Sequence, residues 1–215
     1  MAIGPPDRTS LLNSVRSLCT DIPPDVLQDF FARMDQEYFR RFEPPAIAEH
    51  VRLTAQLTPE HLCEIAFAEQ PDKRFEITIV AYDYFSEFAT ICGLLSAFGL
   101  NIEEGHIYTF AEKTAPQSAR AGWTGYGPRV RAKGSPGLSR KKIVDVFRVL
   151  PVPGVDLGRA QQKQLSETLH SVIRLLDSGQ FEEARFAVNR RLVEQLGQRR
   201  GSFSGLLHPV QITFD

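Results

Sequence analysis

The chain has 215 residues, of which 42% are hydrophobic and 24% charged, and its formal net charge at pH 7 is -1. This length allows one ordinary domain with an extension or two small domains, and the composition argues against intrinsic disorder. The near-neutral charge favours neither a nucleic acid nor a membrane surface as a partner. Three widely spaced cysteines do not form a disulfide framework, and the N-terminus lacks a signal peptide. We therefore expect a cytoplasmic protein without a membrane span.

The first 60 residues have the pattern of packed helices. Apolar residues from Leu11 to Leu18 recur at helical spacing, and a second helix follows. Pro44-Pro45 opens a third helix, because proline is tolerated in a first helical turn. An aromatic cluster is expected to hold these helices together: Tyr38, Phe39 and Phe42. We predict a helical N-terminal segment over residues 1–60 and a second unit over residues 61–215.

From Leu62 the apolar residues begin to alternate, which is typical of strands. Residues 63–68 and the segment FEITIVAYD, which starts at Phe75, predict a hairpin with a turn at residues 70–73. Asp83 then follows as a candidate N-cap of a helix, and Gly99 suits the C-terminal end of that helix. Later strands and helices are predicted by the same patterns: strands at 101–110, 141–150 and 209–215, a helix that contains Leu165–Leu176, and an extra helix at 181–197.

This order of elements predicts an α+β fold. From residue 75 it matches the ferredoxin-like βαββαβ pattern, an antiparallel sheet with helices on one face. A small helical segment and an extra hairpin strand precede it, and the first helices are expected to cover the other face of the sheet. Because the chain closes on a strand rather than a frayed tail, we expect the parent protein to continue beyond Asp215.

Two stretches carry a resemblance to a known family. FFARMDQEYFRRFEPPAIAEHVRL, residues 30–53, is similar to the helical segment that precedes the paired ACT domains of bacterial PII uridylyltransferases. FEITIVAYDYFSEFATICGLLSAFGLNIEEGHIYTF, residues 75–110, together with the later VDVFRV, resembles the ACT pattern of strand, Asp, turn, helix, Gly-Leu-Asn-Ile and strand. The closing HPVQITFD resembles the strand that leads from one ACT domain to the next.

The resemblance implies a regulatory, non-catalytic domain of the ACT type. The parent would be a nitrogen-metabolism nucleotidyltransferase, a uridylyl- or adenylyltransferase acting on PII or on glutamine synthetase, and the effector would be an amino acid such as glutamine. The alternative parent is a large amino-acid dehydrogenase. The resemblance also implies ACT–ACT pairing, either within a homodimer or with a following domain of the parent, with the ligand held between the two domains.

Carried over by position, the resemblance implies a ligand pocket at the turn after the first ACT strand and at the start of the second strand. The implied pocket residues are Asp83, Tyr84, Phe85, Ser86, Glu87, Phe88, Asn101 and Ile102. The family turn reads Asp-Arg-Pro-Gly-Leu, so Ser86 stands at the glycine position and Glu87 adds a negative charge. The alternative is therefore a degenerate ACT module that dimerises without ligand. Two plainer roles also stay open: Asp83 as a helix cap and Asn101 as a turn residue.

Residues 113–140 form a long basic segment with five glycines and three prolines. Arg129, Arg131 and Lys133 are its candidate anion-binding residues. Trp123 and Tyr126 could stack on a nucleic acid, but the alternatives are a solvated loop or a contact with an acidic surface of the parent, and we expect no nucleic acid. The chain lacks a nucleophile elbow, a phosphate-binding loop and zinc-ligand spacing. We therefore predict no catalytic residue, no cofactor and no metal.

Overall fold

A computed structural model describes residues 8–84, 86–112 and 141–199. The basic segment 113–140 and the predicted closing strand 209–215 lie outside the described residues. The elements in chain order are α1 (Arg8–Leu18), α2 (Pro24–Arg33), α3 (Gln36–Arg41), α4 (Pro44–Gln56), β1 (Cys63–Glu69), β2 (Phe75–Tyr82), α5 (Glu87–Ala97), β3 (Leu100–Thr109), β4 (Lys142–Pro151), α6 (Arg159–Asp177) and α7 (Phe181–Arg199).

The four strands form one antiparallel sheet with the order β1-β2-β4-β3. Both β2 and β3 run antiparallel to β4, which lies between them, so β2 and β3 are parallel to each other. Helix α5 connects them, which makes a split βαβ unit. Ile77 of β2 lies directly opposite Phe147 of β4. The predicted α+β class is confirmed, with a mixed set of helices around a four-stranded antiparallel sheet.

The strand β1 forms a hairpin with β2, as the alternating pattern predicts. A single 3-10 turn over Pro71–Lys73 connects the two strands. Asp72 adopts a left-handed φ of 59° in this turn, a conformation that aspartate tolerates better than most residues. The backbone N–H of Gln70 donates to the carbonyl of Arg74 at 2.8 Å and closes the hairpin. This hairpin makes β1 one edge of the sheet.

Helices α5, α6 and α7 cover one face of the sheet. Their apolar residues join Ile77 and Ile79 of β2 and Phe147 of β4 in one buried cluster. Helix α5 is followed by Gly99 with a φ of 73°, so the predicted glycine at its C-terminal end is confirmed. The extra helix α7 packs on α5, where a Cβ on Gly93 would lie 3.2 Å from a methyl carbon of Val188.

Helices α1 to α4 cover the opposite face, which is the layer that the sequence predicts for them. Tyr38 lies at the centre of this layer, and its ring contacts those of Phe30, Phe42 and, from β3, Tyr108. The prediction of three helices was wrong, because the described residues of this segment, 8–60, form four. The short α3 is only six residues long and depends on Asp35, whose side chain accepts a hydrogen bond from the Tyr38 amide at 2.8 Å.

Polar contacts also connect the first four helices to the sheet. The Nε of Arg33 donates to the carbonyl of Ala111 at 2.8 Å, and the Nζ of Lys142 donates to the carbonyl of Thr54 at 2.9 Å. Arg41 of α3 forms an ion pair of 2.6 Å with Glu104 of β3. Within the described ranges, no helix combines the length and the apolar character that crossing a bilayer requires.

Candidate functional site

The turn between β2 and α5 is the part of the chain that the resemblance singles out. The amide of Asp83 donates to the carbonyl of Lys141 at 3.0 Å and extends the sheet ladder by one bond. Ser86 then adopts a left-handed φ of 62° and is the residue immediately before α5. The turn is closed by Glu87, whose Oε2 accepts a hydrogen bond from the Tyr84 amide at 3.1 Å. Phe85 lies outside the described residues.

The prediction that Asp83 caps α5 was wrong. The cap position belongs to Ser86, and the side chain of Ser86 makes no capping hydrogen bond. Asp83 lies three residues too early because its backbone continues the pairing of β2 as far as Lys141, the residue immediately before β4. Sequence reasoning assigned the cap by residue type, whereas the length of the ladder decides where the helix starts.

Ser86 adopts a left-handed backbone conformation that glycine takes without strain. A non-glycine residue in this conformation costs about 1 kcal/mol. We expect Ser86→Gly to raise the free energy of unfolding by up to about 1 kcal/mol, reduced by the greater freedom of glycine in the unfolded chain. Urea denaturation would measure this change. Ser86→Ala is the matched control and should not stabilise the protein; equal stabilisation by both variants would contradict the backbone explanation.

Beneath the turn lie two buried carboxyl groups. Glu87 is the first residue of α5 and is 4% exposed, and Asp145 lies in the middle of β4 and is 0% exposed. Asp145 is opposite Ile79 on one side and Ile107 on the other. Its neighbours in sequence, Val144 and Val146, belong to the core of the first four helices. Because side chains alternate along a strand, Asp145 faces the α5 side of the sheet.

The surroundings keep these carboxyl groups protonated more strongly than usual. Burial, together with the nearby charge of Asp83, raises the pKa of Asp145 to about 7. Burial raises the pKa of Glu87 to about 9; the hydrogen bond from the Tyr84 amide opposes this rise, and the charges of Asp145 and Asp83 add to it. Near neutral pH, Glu87 is therefore protonated while Asp145 is close to half-ionised.

The remaining predicted pocket residues divide into two groups. Phe88 is 51% exposed beside the turn, and its ring stacks 6.4 Å from that of Phe147. Asn101 and Ile102 lie at the start of β3, opposite Leu150 and Val149, which is the far end of the sheet from the turn. Asp83 pairs with Lys141, whereas Asn101 lies opposite Leu150, nine residues further along β4, so Asp83 and Asn101 are roughly 30 Å apart along the strands. One copy of the chain therefore does not bring them together.

A cleft of about 370 Å³ opens beside the turn, between α5 and α7. Ser86 forms one end of it, and Thr90 and Arg185 line its walls. Gly93 of α5 and Val188 of α7, where the two helices approach closely, also line the cleft. This surface borders the predicted pocket but does not reach the two buried carboxyl groups.

Another group of reactive side chains lies where β1 meets α6. The Sγ of Cys63 is 3.3 Å from the Nδ1 of His170, and the imidazole of His61 contacts the carboxylate of Glu64. Burial raises the pKa of Cys63 to about 12, so its thiol stays protonated and is a poor nucleophile. In the part of the chain that the structure describes, no group of three or more His, Cys, Asp or Glu side chains could hold a metal ion.

Comparison with known proteins adds no identity to this geometry. Neither a protein-family model nor a curated protein matches the sequence. The candidate anion-binding residues Arg129, Arg131 and Lys133 lie outside the described residues.

Sequence reasoning named Glu87 but missed Asp145. The signal was present: VDVFRV places one aspartate between valines on a strand whose two faces are both apolar. A charged residue in such a position is almost never fully buried without a partner. Together, Glu87 and Asp145 make the turn an acidic site that is shielded from water.

Proposed function

We propose that this chain is a regulatory, non-catalytic module of the ACT type, which binds a small effector at the β2–α5 turn and pairs with a second ACT domain. The order β2-α5-β3-β4-α6 supports the ferredoxin-like comparison. The place beside β2, where the ferredoxin-like order has its last strand, is occupied by β1. Among the described residues, β1 therefore covers the edge of β2 that faces away from β4.

The observation that carries the pairing proposal is the outer edge of β3. Within the described part of the chain, β3 pairs with β4 alone and is ten residues long. The amide of Phe110 donates to Lys142 at 2.8 Å, so by alternation the amides of Ile107 and Thr109 point away from β4. A row of outward backbone groups is a ready site for pairing with another strand. Ile107, which is 42% exposed, adds an apolar side chain to this edge.

We expect Ile107→Pro to weaken pairing of the full chain by at least about tenfold in the dimer Kd. Proline removes the outward amide of residue 107 without removing a hydrogen bond to β4, because that amide does not face β4. Light scattering and sedimentation over a range of protein concentrations would measure the change. Ile107→Val keeps the amide and is the matched control.

A wild-type chain that stays monomeric at all concentrations would contradict pairing. Equal dimerisation of Ile107→Pro and Ile107→Val would show instead that another surface pairs. A circular dichroism spectrum of each variant checks that the fold is retained.

The proposed effector is an amino acid, with glutamine as the first candidate, and the proposed parent is a cytoplasmic uridylyl- or adenylyltransferase of nitrogen metabolism. Binding at one hundred times the dissociation constant stabilises a folded protein by about 2.7 kcal/mol. A thermal-shift screen of the amino acids against the full chain therefore tests this part of the proposal. The absence of any response would leave only the pairing function.

A second candidate function is a degenerate ACT module that pairs without a ligand. The hydrogen bond from the Tyr84 amide to Glu87 favours it, because the side chain of Glu87 closes the turn from within. In that case pairing would be retained while the amino-acid screen is silent.

A further inference from the structure

Three buried carboxyl oxygens on the α5 side of the sheet have no hydrogen-bond partner among the described residues. They are Oε1 of Glu87 and both Oδ1 and Oδ2 of Asp145. Their side chains come from different elements, α5 and β4, and the charge of Asp145 acts on Glu87. Buried polar atoms without partners are rare in folded proteins, and a missing ligand, ion or water is a common reason for them.

The number and kind of these atoms specify the chemistry of a partner. Three acceptor oxygens match the three N–H donors of a primary ammonium group. A positive charge would also relieve the repulsion between the carboxylates and offset their loss of hydration. A metal ion is a poorer match, because the described residues hold no group of three or more suitable ligand side chains.

We propose that Glu87 and Asp145 bind a primary ammonium group, either free ammonium or the amino group of a larger effector. This inference deepens the proposed function, since it names the chemical group that the β2–α5 turn recognises. It also means that the amino group of the effector, rather than its carboxylate, faces the turn, because the two acids repel a carboxylate. Phe88, which follows Glu87 and is 51% exposed, and Ile107, which lies opposite Asp145 and is 42% exposed, would contact the remainder of the effector.

Other titratable groups face the same acids. These groups are Asp83 on the turn, Cys92 on α5 and Cys63 on β1. Burial raises the pKa of Cys92, and the charge of Asp145 adds to this rise. Burial also raises the pKa of Cys63, and the charges of Glu64 and Glu87 add to it. The charge of Arg174 of α6 opposes the rise in the pKa of Cys63. Cation binding must displace the protons of the two acids, so it strengthens as the pH rises toward 8.

The test compares two salts of equal ionic strength on the full chain at pH 8. Methylammonium chloride carries three N–H donors, whereas tetramethylammonium chloride has the same charge and none. We expect methylammonium at saturation to raise the Tm by about 5 °C over tetramethylammonium. The difference should shrink at pH 5, and Asp145→Asn and Glu87→Gln should each abolish it. Glu167→Gln changes an exposed acid on α6 and should keep the full difference.

Equal shifts from the two salts in the wild-type chain, or an unchanged difference in Asp145→Asn and Glu87→Gln, would overturn the ammonium site. The failure of this site is distinguishable from the failure of the proposed function. A chain that pairs through β3 but does not discriminate the salts keeps the regulatory proposal and loses the ammonium site. A monomeric chain that does discriminate them keeps the site and loses the pairing.

Discussion

The free energy of unfolding is expected to fall by on the order of 3 kcal/mol between pH 6.5 and pH 8.5. Glu87 ionises freely in the unfolded chain near pH 4.5, but its pKa is about 9 in the folded protein. The folded state therefore binds more protons over this interval, and each pH unit lowers stability by about 1.4 kcal/mol for one such group. Asp145, with a folded pKa of about 7, contributes only at the lower end of the interval.

The interval from pH 6.5 to pH 8.5 lies above most of the range in which His50, the main group with the opposite effect on stability, changes its charge. Burial lowers the pKa of His50 to about 4 from a usual value of 6.5, so the folded state binds fewer protons than the unfolded chain below pH 6.5. Stability from His50 is therefore lost as the pH falls from 6.5 toward 4, the opposite direction to the two acids. Above pH 6.5 the contribution of His50 changes by only about 0.4 kcal/mol, so the slope mainly reports Glu87 and Asp145.

Urea denaturation at several pH values would measure this slope. Glu87→Gln should remove most of it and should be more stable than the wild type at pH 8.5, because a neutral amide has no proton to lose. Asp145→Asn should remove the part below about pH 7. Glu167→Gln should follow the wild-type curve. A wild-type slope that persists in Glu87→Gln would show that another group causes it.

The second large effect is expected at Tyr38. Tyr38 is fully buried, and its hydroxyl is 2.7 Å from the Nδ1 of His50. We expect Tyr38→Ala to lower the free energy of unfolding by about 3–5 kcal/mol, since it leaves a cavity between the first four helices and β3. It also leaves the buried ring nitrogen of His50 without this partner.

Two further variants separate the causes of this loss. Tyr38→Phe keeps the ring and removes only the hydroxyl, so we expect it to lower stability by about 1–2 kcal/mol. Phe186 is 67% exposed on α7, and Phe186→Ala should change stability by no more than about 0.5 kcal/mol. Denaturation in urea at pH 7 would rank the three. A loss under 1 kcal/mol in Tyr38→Ala would mean that α1 to α4 are not an integral layer of the fold.

Much of the fold follows from local sequence patterns. Alternation predicts the β1–β2 hairpin, and the apolar stripe of residues 88–98 predicts α5, because each period places one set of side chains on one side of its element. Gly99 marks the end of α5 because it is the residue that adopts a left-handed conformation without strain. The six-residue α3 was missed because two turns are too short to show a helical period.

The candidate site was only partly predictable. Ser86 and Glu87 are named from the sequence of the turn, but a turn pattern does not show that Ser86 adopts a left-handed backbone. It also does not show that Glu87 turns inward toward a second acid. Asp145 is 58 residues away in sequence, as the numbering shows, and only the pairing of β4 between β2 and β3 brings it under the turn.

The sequence by itself determined which residues share a face of each helix and strand, since that depends on the local period of the backbone. The tertiary structure decided which faces meet: that β1 occupies the edge beside β2, that α1 to α4 cover one side of the sheet, and that Glu87 and Asp145 are buried together. The physical reason is that burial depends on neighbours that are distant in the chain. A local sequence pattern does not show the loss of hydration that raises the pKa of both acids.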